Sequence, residues 1–132
     1  MTERRVFAAR GIALVVIAGL VVALGLPDTP VTDVTGDALY VAAVYLLVVL
    51  VAAHRHPLVV GVVTAAWCVA VELFQLTGLP EVWGTAFWPI MLVFGTVFDA
   101  RDLLVYTVTA GVLVAGDVVL SGLSGASRED AP

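Results

Sequence analysis

Polar side chains stand at helical spacings inside stretches that are otherwise apolar, and they are the residues whose chemistry needs an explanation. Residues three or four apart share a face of a helix. Three pairs have this spacing: Glu72 with Gln75, Asp102 with Tyr106, and Asp37 with Tyr40. Carboxyl, amide and phenol groups can hydrogen-bond a polar ligand or serve acid–base chemistry. Because such groups are costly in apolar surroundings, each needs a partner or a function.

Structural readings of the same residues stay open. Glu72 could hydrogen-bond a neighbouring helix, and Arg101 could neutralise one of the carboxylates. Asp99 and Asp102 are spaced like a helix cap and its third residue, and acids favour helix N-termini. Asp37 has the same ambiguity, because it stands where a second apolar run begins.

The elements that must position these residues follow from composition. The 132 residues are 61% hydrophobic and 13% charged, with a mean hydropathy of +1.09. A membrane-crossing helix needs about 20 apolar residues, so the chain can make roughly four crossings. This composition excludes a soluble globular domain, a disordered chain and a disulfide-stapled secreted module.

We therefore predict an all-α integral membrane protein with four transmembrane helices, forming a single transmembrane domain over residues 1–132. A stretch of about 12 residues is too short to cross, so residues 87–98 are expected to be re-entrant or interfacial; a fifth crossing is the alternative. A cleaved signal peptide is the alternative for the first run. The predicted spans are residues 6–26, 37–53, 58–77 and 102–121.

The arginines predict the orientation. Four crossings place the N-terminus, the turn at residues 54–57 and the C-terminal tail on one side. That side carries every arginine except Arg101. The positive-inside rule then puts both termini in the cytoplasm, with residues 27–36 facing outward. Asp117, near the cytoplasmic end, is expected to pair with Arg10 or Arg55.

A common depth links the polar pairs. Asp37 and Asp102 are expected to start helices at the outer face, and Glu72 lies about 7 Å below that face. We therefore predict a polar pocket open toward the extracytoplasmic leaflet. Its candidate ligand-binding residues are Asp37, Tyr40, Glu72, Gln75, Arg101, Asp102 and Tyr106.

Other chemistry is not indicated by the sequence. The single cysteine, Cys68, cannot form an internal disulfide and belongs to no CxxC pattern. His54 and His56 have no nearby cysteine or carboxylate, so we expect no metal site and no cofactor. The sequence shows no nucleophile–base pair, so we predict no catalytic residue. No basic patch interleaved with aromatics is present, so we expect no nucleic-acid partner.

Several polar and glycine motifs occur in a fixed order along the chain. They are Gly36-Asp37-Ala38-Leu39-Tyr40, Glu72-Leu73-Phe74-Gln75, Gly95, Phe98-Asp99-Ala100-Arg101-Asp102, Tyr106 and Gly111. This order resembles a bacterial family of small four-helix membrane proteins of unknown function, sometimes labelled ribosomal maturation YjgA. The resemblance covers residues 36–116 and implies an inner-membrane location with four helices. In layout the chain is also similar to VanZ-like proteins, which are associated with glycopeptide resistance and the cell envelope.

Three functions are consistent with these observations. The first is a protein of the bacterial inner (cytoplasmic) membrane that binds or moves an amphiphilic or lipid-like ligand through the polar pocket, with membrane lipid as its partner. The second is a structural or regulatory subunit of a membrane complex, in which the polar stripes satisfy a partner's groups or those of a second copy in a homo-oligomer. The third is an intramembrane enzyme. We expect the first.

Overall fold

The computed structural model describes residues 3–95 and 97–129, which form six helices and no strand. The all-α prediction is therefore confirmed for this part of the chain. In chain order the helices are α1 Glu3–Gly25, α2 Pro30–Val51, α3 Pro57–Gln75, α4 Leu79–Ala86, α5 Ile90–Phe94 and α6 Ala100–Glu129.

Four of these helices are long and apolar enough to cross a membrane. They are α1, α2, α3 and the first 23 residues of α6, and the shortest of them, α3, has 19 residues. At 1.5 Å per residue even α3 is about 29 Å long, close to the thickness of a bilayer core. All four carry large apolar side chains on their outer surfaces.

α2 begins seven residues before the predicted start of the second span. Thr29 is its N-cap: the Thr29 hydroxyl accepts a hydrogen bond from the Thr32 amide, and the Thr32 hydroxyl accepts one from the Thr29 amide. Pro30 follows at the first helical position, where its fixed φ favours the helix. Asp37 therefore lies two turns inside α2, and the prediction that it starts the helix is wrong.

The segment between α3 and α6 contains two short helices. Residues 79–84, with a proline and a glycine, predict a turn, yet α4 occupies them. The helix can begin there because Gly78 adopts a positive φ of 70° and Pro80 occupies the first turn. With eight and five residues, α4 and α5 are about 12 and 8 Å long, so neither can cross a bilayer. Phe74 of α3 packs against both of them, with ring centroids 5.4 Å from Trp83 and 5.5 Å from Phe94.

Helices α2, α3 and α6 pack against one another and enclose the core, whereas α1 packs mainly along α2. One cluster of buried side chains surrounds Tyr106 and Cys68, and a second surrounds Tyr45 and Val60. α3 and α6 approach closely at Gly61, where an added Cβ would lie 2.3 Å from a methyl group of Val114. Small residues at such crossings allow helices to pack closely.

A polar cluster ties the helices together at the end of the bundle where α1 begins. The Arg4 guanidinium donates to the Asp117 carboxylate at 2.5 Å and to the Ala53 and Arg55 carbonyl oxygens at 2.7 and 2.8 Å. The Tyr45 hydroxyl donates to the same carboxylate at 2.8 Å. The predicted partner of Asp117, an arginine at position 10 or 55, is therefore wrong. Arg4 reaches the carboxylate because it lies level with the turn that follows α2.

Candidate functional site

Glu72 is the most enclosed charged residue in the part of the chain that the structure describes, with 0% of its surface exposed. Its Oε1 accepts a hydrogen bond of 2.8 Å from the Tyr106 hydroxyl, and its Oε2 accepts one of 3.4 Å from the Asp99 amide. Both donors come from α6 or the residue just before it. The carboxyl group therefore joins α3 to the start of α6.

The face of α3 that carries Glu72 is polar along much of its length. Thr64, Cys68 and Glu72 are each 0% exposed, and Gln75 is 7% exposed. Their spacing of three or four residues brings them onto one side of the helix, and that side is turned toward α2 and α6. Thr64 satisfies its hydroxyl by donating to the Val60 carbonyl oxygen at 2.9 Å.

Asp99 and Arg101 form the rim at the start of α6. The Asp99 carboxylate accepts a hydrogen bond of 2.8 Å from the Arg101 amide, which makes Asp99 the N-cap of α6. The Arg101 guanidinium pairs with the same carboxylate at 3.6 Å, and both side chains are about half exposed. Arg101 is thus engaged with the capping residue, and the capping interpretation of Asp99 is correct.

Asp37 and Asp102 meet across the interface between α2 and α6. Both carboxyl groups line the same pocket and are close enough to interact electrostatically. A hydrogen bond between two carboxyl groups needs a proton on one of them, because a carboxylate has no donor. Two ionised groups in this position repel each other unless a proton or a cation comes between them.

These residues surround a polar pocket of about 420 Å³, within the range of small-molecule sites. The structure places five of the seven predicted site residues on its walls. Glu72 does not line the pocket but hydrogen-bonds Tyr106, which does. Tyr40 lies outside the pocket. The walls are formed by Asp33, Asp37, Gln75, Gly95, Val97, Phe98, Asp99, Arg101, Asp102 and Tyr106.

Two pocket acids, Asp33 and Asp99, were not among the predicted ligand-binding residues. Asp33 precedes Asp37 by four residues, so both lie on one face of α2. Thr29 as N-cap and Pro30 in the first turn mark the start of α2, and a helix predicted to begin there would include Asp33. Asp99 was predicted to cap a helix, and a capping residue beside a pocket can also line that pocket.

Gln75 has one satisfied and one unsatisfied group. Its Nε2 donates to the Phe94 carbonyl oxygen at 2.8 Å, which anchors the end of α5 to α3. Its Oε1 is buried and has no hydrogen-bond partner among the described residues. Gly95, with a positive φ of 64°, passes so close that an added Cβ would lie 2.5 Å from Nε2. A glycine is therefore needed there for Gln75 to keep its position.

An apolar groove of about 460 Å³ continues from the polar pocket. It runs between α1, α2 and α5, and valine, leucine, alanine, methionine and glycine residues form most of its walls. Tyr40 is a wall of this groove, and its hydroxyl accepts a hydrogen bond of 3.0 Å from the Trp67 indole. The groove and the pocket share four residues: Asp37, Gln75, Gly95 and Tyr106.

The arrangement provides a polar chamber and an apolar chamber with a common wall. The polar chamber presents mainly hydrogen-bond acceptors, because its walls hold four carboxyl groups and an unpaired amide oxygen. The described residues contain no group of three His, Cys, Asp or Glu side chains that could hold a metal ion. Such a site is suited to hold a molecule with a polar end and an apolar end.

Comparison with known proteins relates the chain to a protein family. No curated protein and no solved structure matches the chain. The VanZ-like layout and the ribosomal label of the sequence analysis stay predictions. A family profile described as protein of unknown function (DUF2809) matches residues 27–110, which include every predicted site residue and all four acids of the polar pocket. The chain belongs to this family, DUF2809.

Proposed function

We propose that the protein spans a membrane four times and binds or moves an amphiphilic, lipid-like ligand. The observation that carries this proposal is the shared wall between the polar pocket and the apolar groove. The polar end of the ligand would lie among the carboxyl groups beside Tyr106, and its apolar end would lie along α1 and α2. Each methylene group buried in such a groove contributes about 0.8 kcal/mol to binding.

A membrane environment is supported by the outer surface of the bundle. Leu14, Leu47, Val62 and Val112 are each more than half exposed, and they belong to α1, α2, α3 and α6 in turn. Soluble monomers rarely expose apolar surface of this extent. The helices satisfy their own backbone hydrogen bonds, as a chain in lipid must.

The arginines support an inner-membrane orientation with both termini in the cytoplasm. Arg4 reaches the turn after α2, so the start of α1 and that turn lie at the same end of the bundle. Arg5, Arg10 and Arg55 belong to this end, whereas Arg101 stands at the other. By the positive-inside rule, the polar pocket then faces the outer leaflet.

Native mass spectrometry of the protein, extracted gently from its own membrane, tests this proposal. Gly36 lines the groove, and a Cβ added there meets no atom within 4 Å. The Gly36→Leu side chain should therefore occupy the groove without disturbing the packing of the helices. We expect wild-type protein to carry a discrete lipid-sized adduct, and this variant to lose most of it. Gly19→Leu, on the α1 wall of the same groove, should act alike.

The matched control is Gly111→Leu. Gly111 also lies in a long helix with no atom near its added Cβ, but it lines neither chamber. All three variants replace a helical glycine by leucine, so each gains similar helix propensity. A clean protein mass in the wild type, an adduct that all variants retain, or a mass shared with another chain would contradict the proposal. The last result would favour a subunit of a complex.

A further inference from the structure

We propose that the polar end of this ligand is a protonated primary amine, held between the Asp37 and Asp102 carboxylates and donating a hydrogen bond to Gln75 Oε1. The proposal rests on the proposed function, because it identifies the class of molecule that the two chambers accept. Three features of the polar pocket support it: its charge, the placement of two acids from different helices, and an unused acceptor.

The charge of the pocket favours a cation. Its walls hold four carboxyl groups and a single guanidinium, and that guanidinium belongs to Arg101, which already pairs with Asp99. An anionic head group would face the remaining acids without a free cation on the walls. A pocket lined by one sign of charge raises the local concentration of ligands of the opposite sign.

The placement of Asp37 and Asp102 marks the position of the cation. The two carboxyl groups come from different helices, α2 and α6, and both line the polar pocket. An ammonium group between them can donate to both, and hydrogen bonds between charged partners are about twice as strong as neutral ones. The same cation removes the repulsion between the two carboxylates.

The Gln75 side chain adds a requirement for a donor. Gln75 is 93% buried and lines both chambers. Its Oε1 has no hydrogen-bond partner among the described residues. Rotating the amide would not satisfy it, because the Phe94 carbonyl oxygen needs the Nε2 donor. A ligand that carries N–H groups supplies the missing donor, whereas a quaternary ammonium or a carboxylate cannot.

An organic cation fits this pocket better than a bare metal ion. The described carboxyl groups are not gathered into a set of three that could ligate a metal. An ammonium group needs only two or three acceptors in tetrahedral directions. The apolar groove that adjoins the site also gives an alkyl chain on the amine a place to bind.

Isothermal titration calorimetry on the purified protein in a nonionic detergent tests the head group. The probes are dodecylammonium, dodecyltrimethylammonium and dodecanol, which share one chain, together with butylammonium, which lacks the long chain. We expect dodecylammonium to bind about tenfold or more tightly than dodecanol, as charge-assisted hydrogen bonds predict. Dodecyltrimethylammonium should fall between them, and butylammonium should bind too weakly to measure.

Three variants locate the effect. Asp37→Asn retains a hydrogen-bonding partner for Asp102, and it should reduce the preference for dodecylammonium over dodecanol to about threefold or less. Asp33→Asn, at an exposed wall residue whose replacement does not disturb packing, should reduce it by a smaller factor. Asp28→Asn is the matched control, because Asp28 is an exposed acid outside both chambers and should leave the preference unchanged.

The outcomes separate this inference from the proposed function. Equal binding of all three dodecyl probes, lost in Gly36→Leu, would support the amphiphile site and overturn the amine. Tight binding of butylammonium would mean that a free soluble amine, and not a lipid-like one, is the ligand, which overturns the proposed function. Binding of no probe would overturn both. A preference for the amine that survives every Asp→Asn variant would place the cation elsewhere and overturn the assigned site.

Discussion

The Tyr106 hydroxyl donates a hydrogen bond of 2.8 Å to the Glu72 carboxyl group, and this bond crosses from α6 to α3 in the buried interior of the bundle. Among the described residues, the other hydrogen-bond donor to Glu72 is the Asp99 amide just before α6, at 3.4 Å. The same tyrosine forms a wall of both the polar pocket and the apolar groove. Tyr106 therefore links the buried Glu72 to the surface that lines the two chambers.

Removing the Tyr106 hydroxyl should destabilise the bundle. Tyr106→Phe leaves the buried Glu72 carboxyl group with the weaker of its two donors, and an unsatisfied buried group costs about 1–3 kcal/mol. We expect a lower free energy of unfolding in detergent, measured by circular dichroism. Tyr40→Phe is the control, since the Tyr40 hydroxyl bonds an exposed indole at the surface. Equal losses in the two variants would contradict the role assigned to the Glu72 contact.

The close approach of α3 and α6 at Gly61 predicts opposite effects for two Gly→Ala substitutions. At Gly61 the added methyl would lie 2.3 Å from Val114, whose branched side chain has little freedom to turn away on a helix. Overpacking of this kind costs about 1–3 kcal/mol. At Gly111 the methyl meets open space, and the substitution gains up to about 1 kcal/mol of helix propensity. Thermal unfolding should show Gly61→Ala below wild type and Gly111→Ala at or above it; a stable Gly61→Ala would contradict the crossing.

We predict that the contacts made by Arg4 require an arginine at this position. It donates to three oxygens, on Asp117, Ala53 and Arg55, and a lysine ammonium on a flexible stem cannot reproduce that planar fork. We expect Arg4→Lys to lower the free energy of unfolding by about 1–3 kcal/mol and to speed hydrogen exchange at the start of α1. Arg10→Lys, at an exposed position in the same helix, should do neither. Unchanged exchange in Arg4→Lys would show that the cluster does not hold α1 in place.

The proposed orientation predicts the labelling of single cysteines in intact cells. Asp28→Cys, in the loop between α1 and α2, should react with a membrane-impermeant maleimide added outside. His54→Cys, in the turn before α3, should react only after the membrane is opened. Both positions are exposed, and the native Cys68 is buried and should stay unlabelled. Labelling of the His54→Cys protein from outside would reverse the orientation.

Local spacing was enough to predict the polar face of α3. Glu72 and Gln75 lie three residues apart in an apolar run, and the cost of polar groups in apolar surroundings favours a face turned toward the other helices. The buried Thr64 and Cys68 lie on the same face. The same reasoning predicted that Asp102 and Tyr106 share a face of α6. The periodicity of a single helix carries this information, and no tertiary contact is required to read it.

The start of α2 and the contacts between helices could be identified only from the structure. The residues before Asp37 contain aspartate, threonine, proline and glycine, which resemble a loop, yet the reciprocal Thr29–Thr32 cap starts the helix at Pro30. That earlier start brings Asp33 into the pocket. The proximity of Asp37 to Asp102 depends on which helices pack side by side, and sequence spacing within one helix does not contain it.

The most direct test of the central claim is photolabelling with a dodecanol that carries a diazirine midway along its chain. The protein in detergent is irradiated with the probe, with and without excess unlabelled dodecanol, and the labelled residues are found by mass spectrometry. The account predicts saturable labelling of groove residues such as Val16, Leu20 and Leu39, which excess dodecanol removes. Labelling that excess dodecanol does not reduce, spread over outward residues such as Leu104 and Val112, would contradict a specific site for an amphiphile.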